Sequence, residues 1–399
     1  MHLDHLFSDE EKALREMIHK FTEKEIIPIR EELETDYRLV ESVHQKLVDL
    51  GIQKAGYPAE YGGTGPACAT LFGIVCEELS RGDAGIGLTT GINMGELMLP
   101  ALQAGNKAIM DRFMPPFCGS EICYACLSMT DSTGGADSEN PVLQGKGITT
   151  RAKLVGDEYV INGTKSWPTN AALAGVLLTV CNTDPGLGEE GIALIYVPGD
   201  AKGVTYGKNE TKVGFRTSMN NSVFYDDVRV PKEYRLAGPR DDALFYKAIN
   251  SGTQWHTAAL SVGIAQASFD IALEYTKDRK SGGRAVRKWS LVAGILADMA
   301  VRLEMSRAAV YNYAWMLDHP DDYGPPFTDR MVSLASITLS YAADAAAWIT
   351  NKTIELMGAN GLSPEYHAEK YFRDAKIPQI VLSGQQVRKY RIARGYYDY

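Results

Sequence analysis

Cysteine is scarce in this sequence: six residues among 399, at positions 68, 76, 118, 123, 126 and 181. Cys123 and Cys126 form a C-x-x-C, but no second pair and no neighbouring His completes a zinc site. They sit in the apolar run Ile122–Leu127, where buried reduced thiols are a simpler reading than a redox or metal role. No H-E-x-x-H, Walker A loop or clean G-x-G-x-x-G occurs, so no motif calls for a metal or a nicotinamide. No apolar run approaches the length of a membrane span. The opening Met1-His2-Leu3-Asp4-His5, soon followed by acidic residues, is neither a secretory signal nor an Arg-rich transit peptide; the expectation is a cytoplasmic protein of a prokaryote. Positive charge is in deficit, with 41 Lys and Arg against 50 Asp and Glu and a net charge of −9. That argues against nucleic acid as the main partner. It leaves room for an anionic ligand held by a local Arg cluster and backbone N–H groups.

What is present is ordinary for globular chains: 45% hydrophobic residues, 23% charged, 38 Gly and 17 Pro. The length suits two or three domains. Ser8-Asp9-Glu10-Glu11 has the form of a capping box. Leu14, Met17, Ile18 and Phe21 follow at helical spacing, and a second periodic stretch runs from Val43 to Leu50. Pro58 to Gly65 is a turn-rich break. A long apolar helical region is expected from about Ala69 to Leu102. Near residue 125 the pattern changes to short β-like runs at Tyr159–Ile161, Val176–Cys181, Ile192–Val197 and Ser222–Val230, punctuated by Gly, Asn, Asp and Pro. A small barrel or sandwich is expected there. From about Asp241 long Ala-rich helices return, at Ala258–Thr276, Leu291–Leu317 and Asp329–Met357. Their broad apolar faces suggest a bundle that also buries a face against other subunits.

Four segments in order along the chain resemble the acyl-CoA dehydrogenase family. Pro58-Ala59-Glu60-Tyr61-Gly62-Gly63 resembles P-E-E-Y-G-G. Thr130-Asp131-Ser132-Thr133-Gly134-Gly135-Ala136-Asp137 resembles T-E-P-x-x-G-S-D. Gly156 to Asn170 resembles G-D-x-Y-x-I-N-G-x-K-x-W-I-T-N, and Arg373-Asp374-Ala375-Lys376-Ile377 matches R-D-A-K-I. The resemblance implies an α+β fold: an N-terminal helical domain (1–125), a middle β domain (126–238) and a C-terminal four-helix bundle (239–399). It also implies a homotetramer, FAD between domains and subunits, an acyl-CoA thioester as substrate and an electron-transfer flavoprotein as partner. By the same resemblance, Met129 (backbone), Thr130 and Gly135 approach the flavin and phosphates, Ala136 replaces a hydroxyl there, and Trp167 and Thr169 wall the reactive ring. Arg279 matches the Arg that reaches the neighbouring subunit's FAD. Glu355 stands where the family has Gln, beside Gly358, and Gln386 matches a C-terminal Gln near the cofactor.

The family's dehydrogenation needs a carboxylate to collect the proton made acidic by the thioester. That Glu falls, by resemblance, at Leu382, and Leu accepts no proton. A second family position for it is Thr253, and a family Arg near the CoA end is Gln254 here. Both usual base sites are empty. Glu96 and His256 are the nearest ionisable candidates, though residues of this kind are more often structural or solvated than a base; a protonatable substrate group or an ordered water is another route.

Gly87, Gly91 and Gly95 recur at spacing four on one expected helix face, each costing roughly 0.5–1 kcal/mol relative to Ala. Close helix packing and room for a bulky acyl group both explain them. Residues 138–146 form an insertion that either reshapes the nucleotide entrance or is a tolerated surface loop. The leading expectation is FAD-dependent dehydrogenation of a bulky, alicyclic or aromatic acyl-CoA with a non-standard proton acceptor. The alternatives are a non-redox elimination enzyme on an acyl-CoA, and a catalytically silent flavin-binding assembly partner.

Overall fold

A computed structural model describes residues 6–65, 68–135, 143 and 145–397 of the chain. Helix α1 (Asp9–Phe21) starts as its sequence requires: Ser8 Oγ accepts from Glu11 N–H at 3.2 Å, and Glu11 Oε2 accepts from Ser8 N–H at 2.6 Å. Helix α2 (Tyr37–Asp49) is capped by Asp36 and buries Val40, Val43 and Leu47. The long helix expected over 69–102 is broken twice. Asp83 adopts an extended conformation, ends α3 (Ala69–Gly82) and caps α4 (Ala84–Gly91) by accepting from Ile86 N–H at 3.0 Å. A π-helical turn, Ile92–Glu96, then ends at Gly95 with φ 119°, before α5 (Leu99–Gln103) and α6 (Lys107–Phe113).

The middle region is one branched, seven-stranded sheet. Its strands are β1 (Tyr124–Ser128), β2 (Arg151–Val155), β3 (Glu158–Lys165), β4 (Ala174–Asn182), β5 (Ile192–Pro198), β6 (Val204–Tyr206) and β7 (Val223–Pro231). Their order is β1-β4-β2-β3-β7-β6, and β5 also pairs with β4, which is therefore the branch point. Strand β4 is buried along almost all its length, consistent with its continuous apolar run. Strand β7 alternates, with Val223, Tyr225, Val228 and Val230 inward.

Helices return with α7 (Asp241–Asp278), the small hairpin β8 (Lys280–Ser281) and β9 (Arg284–Ala285), then α8 (Ser290–Asp318). A short α9 (Pro320–Tyr323) leads to α10 (Asp329–Met357), α11 (Ala368–Ile380) and α12 (Gly384–Arg394). Helix α7 runs through the molecule, packing on α3, α8, α10 and α11. Its Ala258, Leu260 and Ile264 join Met299, Leu303, Leu339 and Ile349 in the main core. Within Asp329–Leu362 an 18-residue window has mean hydropathy 1.3, enough by length and composition alone to pass as a span, although more than half of the window is buried. The longest charge-free run there is 331–343, short of a span. The helix earns its apolarity as the inner member of the bundle, where Ala335, Ala342, Ala343 and Ala346 are buried against its neighbours.

A second core joins the N-terminal helices, the sheet and the first turns of α7. Leu88 and Leu382 pack against both cores. The functional site lies at that junction.

Candidate active site

The sheet side of the site is built on one buried ion pair. Asp131 Oδ2 accepts from Lys165 Nζ at 3.0 Å, with both side chains fully enclosed. Asp131 Oδ1 accepts from Thr149 Oγ1 (3.0 Å), Thr150 N (3.0 Å) and Thr150 Oγ1 (2.8 Å). Lys165 Nζ also donates to Met129 O at 2.7 Å. Burial pulls the lysine's pKa below its usual range, against the opposing pull of Asp131. The turn after β1 is thereby fastened to the end of β3. Sequence reasoning passed over both residues; the T-D and G-T-K-S-W segments held the signal, but not that the two would meet.

Beyond Lys165 the chain enters the left-handed region at Trp167 (φ 63°) and Asn170 (φ 63°). A bulky residue there is uncommon and is held by its surroundings. Asn220 Nδ2 donates to Trp167 O at 2.6 Å and to Thr169 Oγ1 at 3.2 Å. Asn170 Nδ2 donates to Ala125 O, and Thr89 Oγ1 donates to Asn170 Oδ1. The indole of Trp167 is left half exposed, at 50%.

The opposite side comes from the C-terminal helices. Asp374, in the R-D-A-K-I segment, accepts from Phe215 N–H at 2.7 Å and from Lys370 Nζ at 2.7 Å. Lys370 also bridges to Asp83 at 2.8 Å, so one buried lysine ties α11 to the start of α4. Arg373 grips Glu34 at 2.9 Å and Glu369 at 2.6 Å. These residues clasp domains together. Past α11, Leu382 (φ 56°) and Ser383 (φ 72°) are consecutive left-handed residues, a costly arrangement of about 1–3 kcal/mol each. Arg388 donates to the carbonyls of Val381 (3.0 Å) and Gln379 (3.2 Å), holding the turn.

These walls enclose a cavity of about 230 Å³. Met129, Thr130, Trp167 and Thr169 line one side, and Leu382 and Thr253 line it too. The Thr253 hydroxyl donates to the Ile249 carbonyl at 2.9 Å, within its own helix. Glu96 and His256 complete the lining. They are in contact: His256 Nδ1 lies 2.9 Å from Glu96 Oε2, with side chains 2% and 10% exposed. Glu96 Oε1 and His256 Nε2 are buried without a hydrogen-bond partner. Burial by itself disfavours the imidazolium, but Cys76 and Glu96 outweigh it and hold the ring's pKa well above the ordinary histidine value. A second cavity of about 240 Å³, lined chiefly by apolar residues such as Phe72, Met94, Leu99, Ile249 and Trp255, shares Glu96 with the first.

The glycines divide. A Cβ on Gly91 would stand 2.5 Å from the His256 ring, and one on Gly87 would collide with Ser80 Oγ. Gly95 does not continue their stripe, because the π-turn and its φ of 119° redirect the chain; it lines the second cavity. Gly135 lies close under Thr130, where a Cβ would be 3.2 Å from Cγ2. Arg279, Glu355, Gly358 and Gln386 are exposed and do not line either cavity of this chain. Glu355 instead accepts from Asn351 and Lys352. Ala136 and most of the 138–146 insertion lie outside the described residues. Of the C-x-x-C, Cys126 is buried and Cys123 partly so, and both are free, with burial pushing the Cys123 thiol up to about 11.

Three family descriptions match almost the whole chain: acyl-CoA dehydrogenase N-terminal domain at residues 8–121, middle domain at 126–228 and C-terminal domain at 251–397. The chain belongs to the acyl-CoA dehydrogenase family. The short/branched chain specific acyl-CoA dehydrogenase of Bos taurus is 32% identical over 97% of this chain and 86% of its own length. The cyclohex-1-ene-1-carbonyl-CoA dehydrogenase of Geobacter metallireducens is 31% identical over 96% of each chain. The butyryl-CoA dehydrogenase structure from Megasphaera elsdenii superposes with a TM-score of 0.87 at 28% identity, covering 97% of this chain and 98% of that one.

This acyl-CoA dehydrogenase is an oxidoreductase of CH–CH donors, and its cofactor is FAD. The residues present fit that group. A flat indole held in a fixed left-handed turn, hydroxyls at Thr130 and Thr169, and the side-chain-free Gly135 beneath Thr130 suit a planar heterocycle with carbonyl acceptors. Acyl-CoA dehydrogenation is the family's reaction.

Proposed function

We propose that this acyl-CoA dehydrogenase oxidises a bulky acyl-CoA, alicyclic or aromatic, using a proton acceptor outside the family's two usual positions. One observation carries this: Leu382 and Thr253, at those positions, face the same cavity as the cofactor wall, and neither accepts a proton. Bound FAD supplies the hydride acceptor. Met129, Thr130, Trp167 and Thr169 orient it, Gly135 gives it close approach, and Leu382, Leu88 and Ile92 keep water from the reacting carbons. The adjoining apolar cavity of about 240 Å³ supports a bulky acyl group, and its wall of Phe72 and Trp255 suits a ring. The similarity to a cyclohex-1-ene-1-carbonyl-CoA dehydrogenase points the same way.

The electron acceptor is an electron-transfer flavoprotein and the working assembly a homotetramer. Exposed Leu291, Val301 and Met305 on α8 support burial of that face against further copies, as does the outward position of Arg279. Anaerobic photometry tests the reading. Cyclohexanecarbonyl-CoA bleaches the flavin if dehydrogenation is correct. Turnover with the flavin still oxidised identifies an elimination instead, and absence of both change and product across thioesters identifies a silent assembly partner.

A further inference from the structure

Among the described residues lining the cofactor-side cavity, all but two are apolar or hydroxyl-bearing. The two are Glu96 and His256, and they are paired. Three features of the backbone produce this pairing. The π-turn at Ile92–Glu96 shifts the helical register, a device that recurs at functional sites. Gly95, at φ 119°, breaks the helical path immediately before Glu96. Gly91, lacking a side chain, leaves the space the His256 ring occupies.

The remaining oxygen, Glu96 Oε1, is buried and unpartnered in a structure whose other acids at the site are fully engaged. A buried acceptor left unsatisfied costs about 1–3 kcal/mol, so its retention calls for a use. Glu96 also borders both cavities, where a thioester's reacting carbons would lie between cofactor and acyl group.

We propose that the Glu96 carboxylate takes the proton from the carbon beside the thioester carbonyl, and that His256 is its positioning residue. This rests on the acyl-CoA reading above. The C–H bond breaks, its electron pair stays on the thioester as an enolate, and the proton goes to Glu96 Oε1. Glu96 Oε2 remains on His256 Nδ1. The imidazolium–carboxylate pair and neutral thioester become an imidazolium, a neutral carboxyl and an enolate, so the net charge of the buried site is unchanged. The imidazolium left behind faces the new negative charge, which favours the transfer in a water-poor cavity.

The test is deuterium exchange at that carbon, read by mass spectrometry of cyclohexanecarbonyl-CoA held with the holoenzyme in heavy water without an electron acceptor. Wild-type protein exchanges, and Glu96→Gln loses at least about 100-fold in rate while calorimetry shows the thioester still bound. Glu96→Asp keeps measurable exchange and serves if the amide variant does not fold. His256→Gln slows exchange less than Glu96→Gln and displaces its pH profile. Independently of turnover, the His256 ring nitrogens, followed by NMR, titrate at lower pH in Glu96→Gln than in wild type. Exchange at the wild-type rate in Glu96→Gln overturns the assignment, as does a wild-type protein that binds the thioester and exchanges nothing. A wild-type protein that binds no thioester at all overturns the acyl-CoA reading instead.

Discussion

The two sides of the cavity are built on opposite principles. On the sheet side, the buried charges Asp131 and Lys165 satisfy each other and the backbone around them, and the wall they fix is polar and rigid. Both sides carry left-handed residues, Trp167 and Asn170 on the sheet side and Leu382 and Ser383 on the helical side, but on the helical side Glu96 Oε1 and His256 Nε2 lack hydrogen-bond partners. A cofactor wall must present one shape to one ligand, and saturation of its hydrogen bonds secures that. A proton acceptor must keep an unsatisfied site, because a carboxylate oxygen already engaged is a weaker base. The difference between the walls fits the proposed roles, binding for the sheet wall and proton transfer for the helical one.

Several substitutions break or sharpen that contrast. Asp131→Ala strands the Lys165 ammonium in the interior and costs about 3–5 kcal/mol, with loss of bound flavin; thermal unfolding and flavin absorbance of the purified variant check it. On the helical side, Gly91→Ala drives a methyl group into the His256 ring and costs about 1–3 kcal/mol. Because it displaces the ring that holds Glu96, activity falls further than stability alone explains.

The pH dependence of stability separates the walls as well. His256 has a folded-state pKa above the unfolded value of about 6.5. Its contribution is therefore complete below that value and is lost as pH rises through the folded pKa, by up to about 1.4 kcal/mol per unit within that window. His256→Gln flattens this part of a melting-temperature profile, and an unchanged profile means that Cys76 and Glu96 do not hold the ring charged. The smallest effect is Ser383→Gly. It relieves one left-handed residue and raises stability by about 0.5–1 kcal/mol, since the hydrogen bond it sacrifices, from Arg391 Nη2, is long at 3.3 Å. A melting curve settles it.

Much of this architecture was legible in the sequence, and the exceptions share a cause. The capping box at Ser8, the strand runs at 176–181 and 192–197, and the helix over Asp329–Met357 were readable because local pattern and tertiary burial agree there. The break at Asp83 was not, because residues 77–82 and the apolar stretch after it both read as helix and the residues that hold Asp83 are distant, Lys370 at 287 positions away together with Thr217. The π-turn was hidden for the opposite reason. Glycines 87, 91 and 95 fit a regular helix by spacing, and only the packing of His256 against Gly91 and the left-handed Gly95 show that the register shifts. Glu96 and His256 were each visible as ionisable residues near the expected pocket, but 160 positions separate them and no local pattern announces their contact. Conversely, the R-D-A-K-I segment reads as a signature of the reaction, whereas its Asp374 and Arg373 fasten Phe215 and Glu34.

The contrast between the walls also says what should happen when the proton acceptor is moved. Leu382→Glu places a carboxylate at the family's usual position, on the same cavity, and introduces dehydrogenation of simple saturated thioesters. Combined with Glu96→Gln, it separates the location of the acceptor from its presence.

The most direct measurement is the rate of deuterium entry beside the thioester carbonyl of cyclohexanecarbonyl-CoA in wild type, Glu96→Gln and Glu96→Gln/Leu382→Glu. The single variant loses at least about 100-fold and the double recovers part of it. Wild-type exchange in Glu96→Gln, with the thioester bound, would contradict Glu96 as the proton acceptor.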